Sequence, residues 1–531
     1  MEQKRYNAPE LLAPVGDMER LISAVRYGAD AVYLAGKSFG MRSAPSNFTN
    51  EELEEAVKYC HAQGVKVYVT CNILPHNAEL AALPAFLEFC QAIGVDAFIM
   101  TDLGVMSMAK KYAPNVAIHI STQAGVVNYE TANAFYNMGA ERVVLARELS
   151  FEEIAEIRAK TPKALEIEAF VHGAMCVSFS GRCLLSNYMT GRDANHGDCA
   201  QPCRWKYSIV EEKRPGRYFP IEQTAEGAYL FNSQDMNMLA HIDDLLDSGA
   251  TSLKIEGRSK SAYYIAAMTN AYKTAVNEYM VQRGFEDADG NVLKPFRDRV
   301  IRPGDPEYGK PDTEDAIMAN ADGAFAGKPD IDAIPVGGVP SGNVSAGNVS
   351  SGNIAIGEPD NLSYHARSTR RKSNTAAEIL PEGWHHAGVR PAPHVTLPDW
   401  LLDEPDKVAH RDYSTGFYYP EHKVQQSTDR SAYFRAWLVV GEVLSWSPED
   451  GGRVTIMSRN KIEAGQEVEF VLPGAAPFAY TVPAGGFRDA DGHWVEAINN
   501  PAHVFSMPCP QEVPVNAAIR SRTKKPTLKA E

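Results

Sequence analysis

From Glu10 to about Tyr279, the chain alternates short runs of apolar, β-branched residues with longer segments whose apolar positions recur every three or four residues. This alternation of strand and helix patterns is typical of a parallel sheet covered by helices. The pattern predicts eight strands, at 10–14, 31–35, 66–71, 97–101, 117–122, 142–147, 165–173 and 252–257. Eight strand–helix units, with no GxGxxG fingerprint after the first strand, favour an α/β fold of the TIM-like (β/α)8 barrel type over an open doubly wound sheet.

One of the eight units is unusually long, because residues 174–233 separate the seventh strand from the helix that follows it. Active sites of such barrels are built from the loops at the carboxyl ends of the strands. We therefore expect the chemistry of the protein to reside in this insertion and at the neighbouring strand ends.

The strand–helix pattern ends near residue 290. Segment 291–408 is rich in Gly, Asn, Ser and Pro, and we interpret it as an insertion or linker, followed by a connecting segment at 409–430. From 431 to 525, short alternating strands are separated by Gly, Asp-Gly and Pro turns, which predicts a small C-terminal antiparallel β-barrel. The expected organisation is therefore a catalytic barrel over 1–290 and a second, smaller barrel.

Composition and charge restrict the function classes. The 531 residues are 44% hydrophobic and 22% charged, as in ordinary globular proteins, and their formal net charge is −15. Bulk charge therefore repels polyanions, so that any RNA must be met by local cationic groups. One candidate is the basic C-terminal set of Arg520, Arg522, Lys524, Lys525 and Lys529. The N-terminus lacks the apolar segment of a signal peptide and no run is long enough to span a bilayer, so we expect a cytoplasmic protein without membrane contact.

Four of the eight cysteines lie within the long insertion, at Cys176, Cys183, Cys199 and Cys203. Structural zinc usually takes two close CxxC pairs, and here only Cys199 and Cys203 are close. An iron–sulfur cluster tolerates more irregular spacing, whereas four unligated cysteines are poorly explained by burial in a polar, Gly-rich loop. The spacing favours a [4Fe–4S] cluster and leaves zinc as an alternative.

Polar residues at the carboxyl ends of the predicted strands form a second candidate set. They are Gln123, Arg147, Glu168, His172, Lys254, Glu256 and Arg258. A carboxylate that points into a barrel needs a cation or a ligand, because burying an unpaired charge is costly. A Lys254–Glu168 or an Arg258–Glu256 ion pair would satisfy this need, and these residues would then have only the structural role of closing the barrel. The convergence of so many polar groups at one rim nevertheless predicts a functional site.

Three strings in the chain resemble the signature of a known family. They are EAFVHGAMCVSFSGRCLLSNYMTGRDANHGDCAQPCRWKY from Glu168 to Tyr207, ELLAPVGD from Glu10 to Asp17, and SLKIEGR from Ser252 to Arg258. On these strings the chain is identified as a member of peptidase family U32, the collagenase-like peptidases. The better-understood members resemble oxygen-independent hydroxylases that act in ubiquinone synthesis, on ribosomal RNA or on tRNA. The SGRCLLSNY and CRWKY strings, with the C-terminal barrel, are most similar to the tRNA group.

The resemblance implies hydroxylation of a wobble uridine to 5-hydroxyuridine, with prephenate as hydroxyl donor and a [4Fe–4S] cluster on Cys176, Cys183, Cys199 and Cys203. It also implies a tRNA anticodon, a small dicarboxylate co-substrate and a related subunit as partners. The catalytic candidates are Glu168, His172, Arg147, Lys254, Glu256 and Arg258. The candidates for substrate binding are Gln123, Arg147, Arg258 and Asn232, which stands where the family has an LNSxDM-like string.

Other functions stay open at this point. The chain could be a collagenase-like peptidase, a hydroxylase of ribosomal RNA or of a quinone precursor, or a non-catalytic RNA-binding protein with structural zinc. No serine nucleophile elbow, HExxH motif or Cys–His signature supports a hydrolase, and the four-cysteine loop would have no task in a peptidase.

Overall fold

A computed structural model describes residues 9–40, 47–205, 208–210, 212–216, 218–220, 233–283, 394–420, 433–448, 451–499 and 501–527. Most of the predicted linker, 291–393, and the candidate ligand-binding residue Asn232 lie outside these residues. Among the described helices, none combines the length and the apolar character needed to cross a bilayer.

The strands of the first 283 residues include the eight predicted from the apolar runs. They are β1 (Glu10–Pro14), β2 (Ala31–Leu34), β3 (Lys66–Cys71), β4 (Ala97–Met100), β5 (Ala117–Ile120), β6 (Arg142–Val144), β7 (Glu166–Ala174), β8 (Ser208–Val210), β9 (Tyr218–Pro220), β10 (Asp235–Asn237) and β11 (Ser252–Ile255). Strands β1 to β7 are parallel neighbours in chain order, and β11 pairs with both β1 and β7. The sheet is therefore closed, and the predicted TIM-like barrel is confirmed.

Most of the helices follow the barrel strands and cover the outer face of the sheet. The α-helices of the described residues are α1 (Met18–Arg26), α2 (Asn50–Ala62), α3 (Asn77–Leu80), α4 (Leu83–Ala92), α5 (Leu103–Tyr112), α6 (Tyr129–Asn137), α7 (Phe151–Ala159), α8 (Leu185–Thr190), α9 (Ile242–Asp247), α10 (Ala262–Arg283) and α11 (Asp399–Leu402). Among them, α8 belongs to the insertion after β7 and α11 to residues 394–420. Several begin at a side chain that accepts a hydrogen bond from the first turn, as Asp17, Thr49 and Ser150 do. These caps satisfy backbone N–H groups that have no partner inside the helix, and so set where each helix begins.

Alternation along each strand divides its side chains between two cores. In β1, Leu11 and Ala13 join the core between sheet and helices, whereas Leu12 belongs to a smaller cluster with Tyr33 and Ile99. Since successive side chains of a strand point to opposite faces, this second cluster fills the barrel interior.

Charged residues close the amino-terminal end of the barrel. Arg142, the first residue of β6, is buried and pairs with Glu10 (2.6 Å), Glu166 (2.5 Å) and Glu168 (3.0 Å). Ser252, the first residue of β11, also accepts a hydrogen bond from Arg142 at 3.1 Å. Most of these residues begin their strands, so a parallel closed sheet brings them to one end.

The chain that follows β7 returns along the barrel and is joined there by a distant segment. Strand β10 pairs antiparallel with β7, and β12 (Tyr413–Ser414) pairs parallel with β10. Arg411 forms a buried ion pair with Asp235, and the Tyr418 hydroxyl donates to the Phe170 carbonyl at 2.7 Å. Residues 394–420 thus pack directly on the barrel.

The C-terminal region is a second antiparallel unit of short strands. They are β13 (Arg435–Ser447), β14 (Arg453–Ser458), β15 (Ile462–Glu463), β16 (Glu467–Phe470), β17 (Phe478–Thr481), β18 (Phe487–Asp489), β19 (Trp494–Val495), β20 (Ala497–Ile498), β21 (Val504–Pro508) and β22 (Ala518–Thr527). Eight of them form one sheet in the order β17-β16-β22-β13-β14-β21-β18-β19, over a core that includes Val443, Ile456 and Phe470. The predicted small antiparallel β-domain is confirmed, as a half-barrel in which β17 and β19 are the edges.

Buried polar contacts hold the C-terminal domain to the segment 394–420 and to the end of α1. Arg520 is fully buried and binds Glu404 and Glu469, each at 2.6 Å. The Tyr27 hydroxyl donates to the Val471 carbonyl at 2.8 Å. Of the basic C-terminal residues, Arg520 is therefore unable to meet an RNA phosphate, because its charge is used inside the protein.

Candidate functional site

A cavity of about 210 Å³ opens at the carboxyl ends of the barrel strands. The predicted residues that line it are the four cysteines of the insertion with Gln123, Arg147, Lys254, Glu256 and Arg258. Two other candidates, Glu168 and His172, are buried outside the lining. Residues more than 130 positions apart in the chain are thus brought to one place by closure of the barrel.

The cysteine loop is shaped by tight backbone turns. Gln201 lies in the left-handed region with φ 56°, which reverses the chain between Cys199 and Cys203. Ser180 also has a positive φ of 45° and is fixed by Glu148, whose two carboxylate oxygens accept from the Ser180 N–H (2.8 Å) and hydroxyl (2.9 Å). Strained non-glycine conformations persist only where their surroundings impose them, and they cluster at functional sites.

The thiol groups of the loop are accessible and hydrogen-bonded. Cys176 is exposed and the other three are half-buried. The Leu185 N–H donates to Cys183 Sγ at 3.3 Å, and the Gln201 N–H donates to Cys199 Sγ at 3.4 Å. Burial raises the pKa of the Cys203 thiol, against an opposing effect of the Arg204 charge. Backbone N–H donors to sulfur stabilise ligated thiolates and tune the metal centre that they hold.

The spacing of the thiols bears on which metal group they suit. Throughout the described residues, no three of these sulfur atoms lie within 4.8 Å of one another. A tetrahedral zinc ion with Zn–S bonds of about 2.3 Å would hold its four sulfurs only about 3.8 Å apart. Thiolates at the corners of a cuboidal iron–sulfur core are further apart. The four thiols could hold either metal group, and the [4Fe–4S] cluster expected from the sequence stays a prediction.

The cavity is cationic although the chain is acidic. The charged residues of its lining are Arg147, Arg192, Arg204, Lys254, Arg258 and Lys260, against Glu148 and Glu256. A concave site with an excess of one charge attracts ligands of the opposite charge. The local positive field that an anionic substrate requires is therefore present at this mouth, on a chain with a net charge of −15.

Two of the cationic side chains are held rigidly. Lys254 Nζ lies 2.7 Å from Glu168 Oε1, so the ion pair considered from the sequence is present, with the Glu168 carboxylate also bound by Arg142. Arg147 stacks on the Phe170 ring at 3.7 Å from its centroid and donates to the Ala174 carbonyl at 2.8 Å. Arg147 also pairs with Glu256 at 3.7 Å. Fixed cations bind a carboxylate without first losing side-chain freedom.

His172 is turned away from the cavity by an irregularity in β7. Phe170 pairs with Lys254, but His172 pairs with the very next residue of β11, Ile255, so one residue of β7 is extra. Such a bulge changes the face to which the following side chain points. His172 Nδ1 lies 3.2 Å from the Tyr272 hydroxyl, and burial lowers the pKa of this imidazole to about 3.

Replacing His172 with glutamine is expected to reduce the loss of stability that the protein undergoes as pH falls below 7. The folded-state pKa of about 3 lies below the usual value of about 6.5, so unfolding takes up a proton between these values. The stabilising contribution of the neutral His172 imidazole is fully present above pH 6.5 and is lost as pH falls toward 3. Thermal unfolding between pH 7 and 4 should show a smaller decrease in Tm for His172→Gln than for the wild type. The exposed His61→Gln is the matched control, and equal slopes in all three proteins would contradict this role.

Several residues of the lining were not selected from the sequence. Thr70 and Asn72, at the end of β3, could have been found by the same strand-end rule that selected Gln123. Neither Lys260 nor Tyr433 lies at the end of a predicted strand, so the strand-end rule could not select them. Tyr433 reaches the cavity from the start of the C-terminal domain. Its ring lies 4.2 Å below Lys260 Nζ, and its hydroxyl accepts a hydrogen bond from Arg204 at 3.2 Å.

Comparison with known proteins agrees with the resemblance noted in the sequence. Residues 16–305 match peptidase family U32, and residues 435–520 match the peptidase family U32 C-terminal domain. The tRNA hydroxylation protein P of Escherichia coli (strain K12) is 38% identical over 317 residues, which is 52% of this chain and 70% of that protein. The tRNA hydroxylation protein P1 of Bacillus subtilis (strain 168) is 29% identical over 501 residues, 93% of this chain and 90% of that protein.

A third relative acts on another RNA. The 23S rRNA 5-hydroxycytidine synthase of Escherichia coli (strain K12) is 35% identical over 275 residues, 52% of this chain and 40% of that protein. The first family match spans more than half of the chain and contains strands β2 to β11 with the cysteine loop. The chain therefore belongs to peptidase family U32.

Proposed function

We propose that this protein hydroxylates RNA, and that its substrate is the wobble uridine of tRNA, which it converts to 5-hydroxyuridine without O2. The names of three relatives, two tRNA hydroxylation proteins and an rRNA 5-hydroxycytidine synthase, support the reaction class. The observation that carries the proposal is the convergence of four cysteines and an excess of cations in one cavity at the mouth of the barrel.

The four cysteines are proposed to hold a [4Fe–4S] cluster. When bound, such a cluster would supply one-electron redox chemistry at the mouth of the barrel. The protein contributes the backbone donors to Cys183 and Cys199, and it shields Cys203 by partial burial. Glu148 fixes the start of the loop through Ser180.

Prephenate, a dicarboxylate, is the proposed hydroxyl donor, and the cationic side of the cavity suits it. Arg147 and Arg258 can each bind a carboxylate through two parallel N–H groups, and Lys254 supplies a point charge. Phe170 and Glu168 hold two of these cations in place. Arg258 is buried and donates to Asn47 Oδ1 at 3.4 Å, which fixes its orientation.

The RNA base is proposed to enter the cavity unstacked, since its ring atoms are not reachable inside a helix. The surface of the cysteine loop suits a single strand, because it presents large apolar side chains beside Arg182. Phe179 is 52% exposed, Tyr188 78% and Trp205 47%. Exposed aromatic rings next to arginines bind single-stranded RNA by stacking on its bases.

A peptidase mechanism receives no support from the lining. In the part of the chain that the structure describes, no histidine lines the cavity, and the Ser180 hydroxyl donates to Glu148. A serine or cysteine nucleophile needs an adjacent base to be activated.

The proposal is tested by mass spectrometry of nucleosides from a bacterial strain that lacks 5-hydroxyuridine in its tRNA. Expression of the wild type, with and without O2, should restore 5-hydroxyuridine. Lys254→Met should reduce it about tenfold or more, because a charged hydrogen bond to the co-substrate is lost. The exposed Lys58→Met is the matched control. Restoration of a modified nucleoside in ribosomal RNA alone, or hydrolysis of gelatin by the pure protein without any RNA product, would contradict the proposal.

A further inference from the structure

The part of the cysteine loop that carries the four thiols, residues 176–205, keeps its shape without apolar packing. The hydrophobic cores of the described structure include Met175, which precedes it, but no side chain from 176 to 205. Its large aromatic residues Phe179 and Tyr188 are more than half exposed, at 52% and 78%. Segments with few buried apolar contacts open locally at little cost. Polar contacts and the metal group must therefore keep the thiols near one another.

One side chain joins the two halves of the loop at Cys183. Asn195 lies four residues before Cys199, and its Oδ1 accepts a hydrogen bond from the Cys183 N–H at 3.3 Å. Its Nδ2 donates to the Cys183 carbonyl at 3.2 Å. A backbone N–H only donates and a carbonyl only accepts, so these two contacts fix the orientation of the amide. Asn195 thus holds both backbone groups of one proposed metal ligand.

A second side chain joins the halves in the opposite direction. Ser186, three residues after Cys183, is fully buried, and its hydroxyl accepts a hydrogen bond from the Ala200 N–H at 3.0 Å. Since Ala200 directly follows Cys199, the first half of the loop holds the backbone beside Cys199, as the second half holds that of Cys183. Neither contact uses a sulfur atom, so both leave the thiols available to a metal.

The same region of the loop is also attached to the barrel. The Asn195 carbonyl accepts a hydrogen bond from the Leu74 N–H at 3.3 Å, in the segment that follows β3. The next residue, His196, pairs with Glu79 of α3 at 3.3 Å. Because Glu148 holds the first half of the loop after β6, the loop is fixed at two separate strand ends of the barrel.

We propose that Asn195 and Ser186 are positioning residues, which hold Cys183 and Cys199 in place for the metal group before it binds. The inference deepens the proposed function, on which the identity of that group as a [4Fe–4S] cluster rests. Ligands that are already in place lose little freedom on binding, so the metal group is bound more tightly and released more slowly. Contacts that orient metal ligands typically change metal affinity about 10–100-fold.

The test measures how fast the anaerobically purified holoenzyme releases its iron to excess EDTA. Asn195→Ala removes both contacts with Cys183 and should release iron about tenfold faster or more. Ser186→Ala removes the contact beside Cys199 and should change the rate in the same direction. The Tm of both variants in the metal-free state should equal that of the metal-free wild type, since this part of the loop belongs to no hydrophobic core. A lower Tm without faster release would show a merely structural role and overturn the inference.

The matched control is Asn133→Ala. Asn133 also donates from Nδ2 to a backbone carbonyl, that of Lys160 at 3.0 Å, but it lies on α6, outside the cavity. Its rate of release should equal that of the wild type. Equal rates in Asn195→Ala, Ser186→Ala and the wild type would overturn the inference alone. A wild-type protein that holds zinc would overturn the cluster of the proposed function, and the same comparison of zinc release would then decide the positioning role. A wild-type protein that holds no metal would overturn both.

Discussion

Cys183→Ser is expected to yield a protein with little iron and acid-labile sulfide, and to lower 5-hydroxyuridine in tRNA about 100-fold or more. Losing a ligand should cost at least as much as losing the outer contacts that orient one, which typically costs about 10–100-fold. Serine is a poor ligand for iron in place of a thiolate, and the backbone donor at Leu185 is matched to sulfur. The measurement is an iron and sulfide assay on protein purified anaerobically, beside mass spectrometry of tRNA nucleosides.

The matched control for this substitution is Cys90→Ala. Cys90 is fully buried on α4, outside the cavity, and behaves as a small apolar side chain. Iron content and product should be those of the wild type, although stability should decrease slightly. A colourless wild-type protein with one equivalent of zinc would contradict the cluster. Full iron content in Cys183→Ser would contradict its assignment as a ligand.

Arg142→Met is expected to lower the free energy of unfolding by about 3–5 kcal/mol, the usual result of breaking a buried ion pair from one side. Arg142 is 1% exposed and is bound by Glu10, Glu166 and Glu168. Without it, carboxylates remain inside the barrel, and Glu168 retains Lys254 alone among the partners described. Urea unfolding at pH 7 measures the change. The surface pair of Lys58 and Glu54 supplies the control, because Lys58→Met should change stability by less than about 1 kcal/mol.

The contribution of Glu10 to the free energy of unfolding should depend on pH with opposite signs in Arg142→Met and in the wild type. Burial alone would raise the pKa of Glu10, but the charge and hydrogen bonds of Arg142, with those of Tyr68 and Ser252, hold this pKa below its usual value. In the wild type, this contribution is present above the unfolded-state pKa of about 4.3 and is lost as pH falls through the lower folded-state value.

In Arg142→Met, burial acts unopposed by the guanidinium and should raise the pKa of Glu10. Protonation then favours the folded state, so the stability deficit of the variant should shrink as pH falls from 7 to 5. A deficit that is constant over this range would show that the Arg142 contacts are not electrostatic in origin.

Local patterns predicted much of this protein. The apolar runs located the barrel strands, although β6 ends at Val144 and not at 147, because Leu145 forms an isolated bridge with Val126 in place of the ladder. The four cysteines could be identified as one set, since they lie close together in the chain. The Lys254–Glu168 pair could also be foreseen, because two adjacent parallel strands in register bring alternate side chains together.

The sequence by itself thus determined the strand and helix segments, the position of the reactive insertion and the types of residue at the rim. Only the tertiary structure decided which of these residues share the cavity. A bulge in β7 moved His172 behind the barrel wall, packing of β22 against residues 394–420 buried Arg520, and Tyr433 came to the mouth from the second domain. The physical reason is that periodicity reports the face of an element on which a side chain lies, whereas its neighbours across a closed sheet depend on strand order and register.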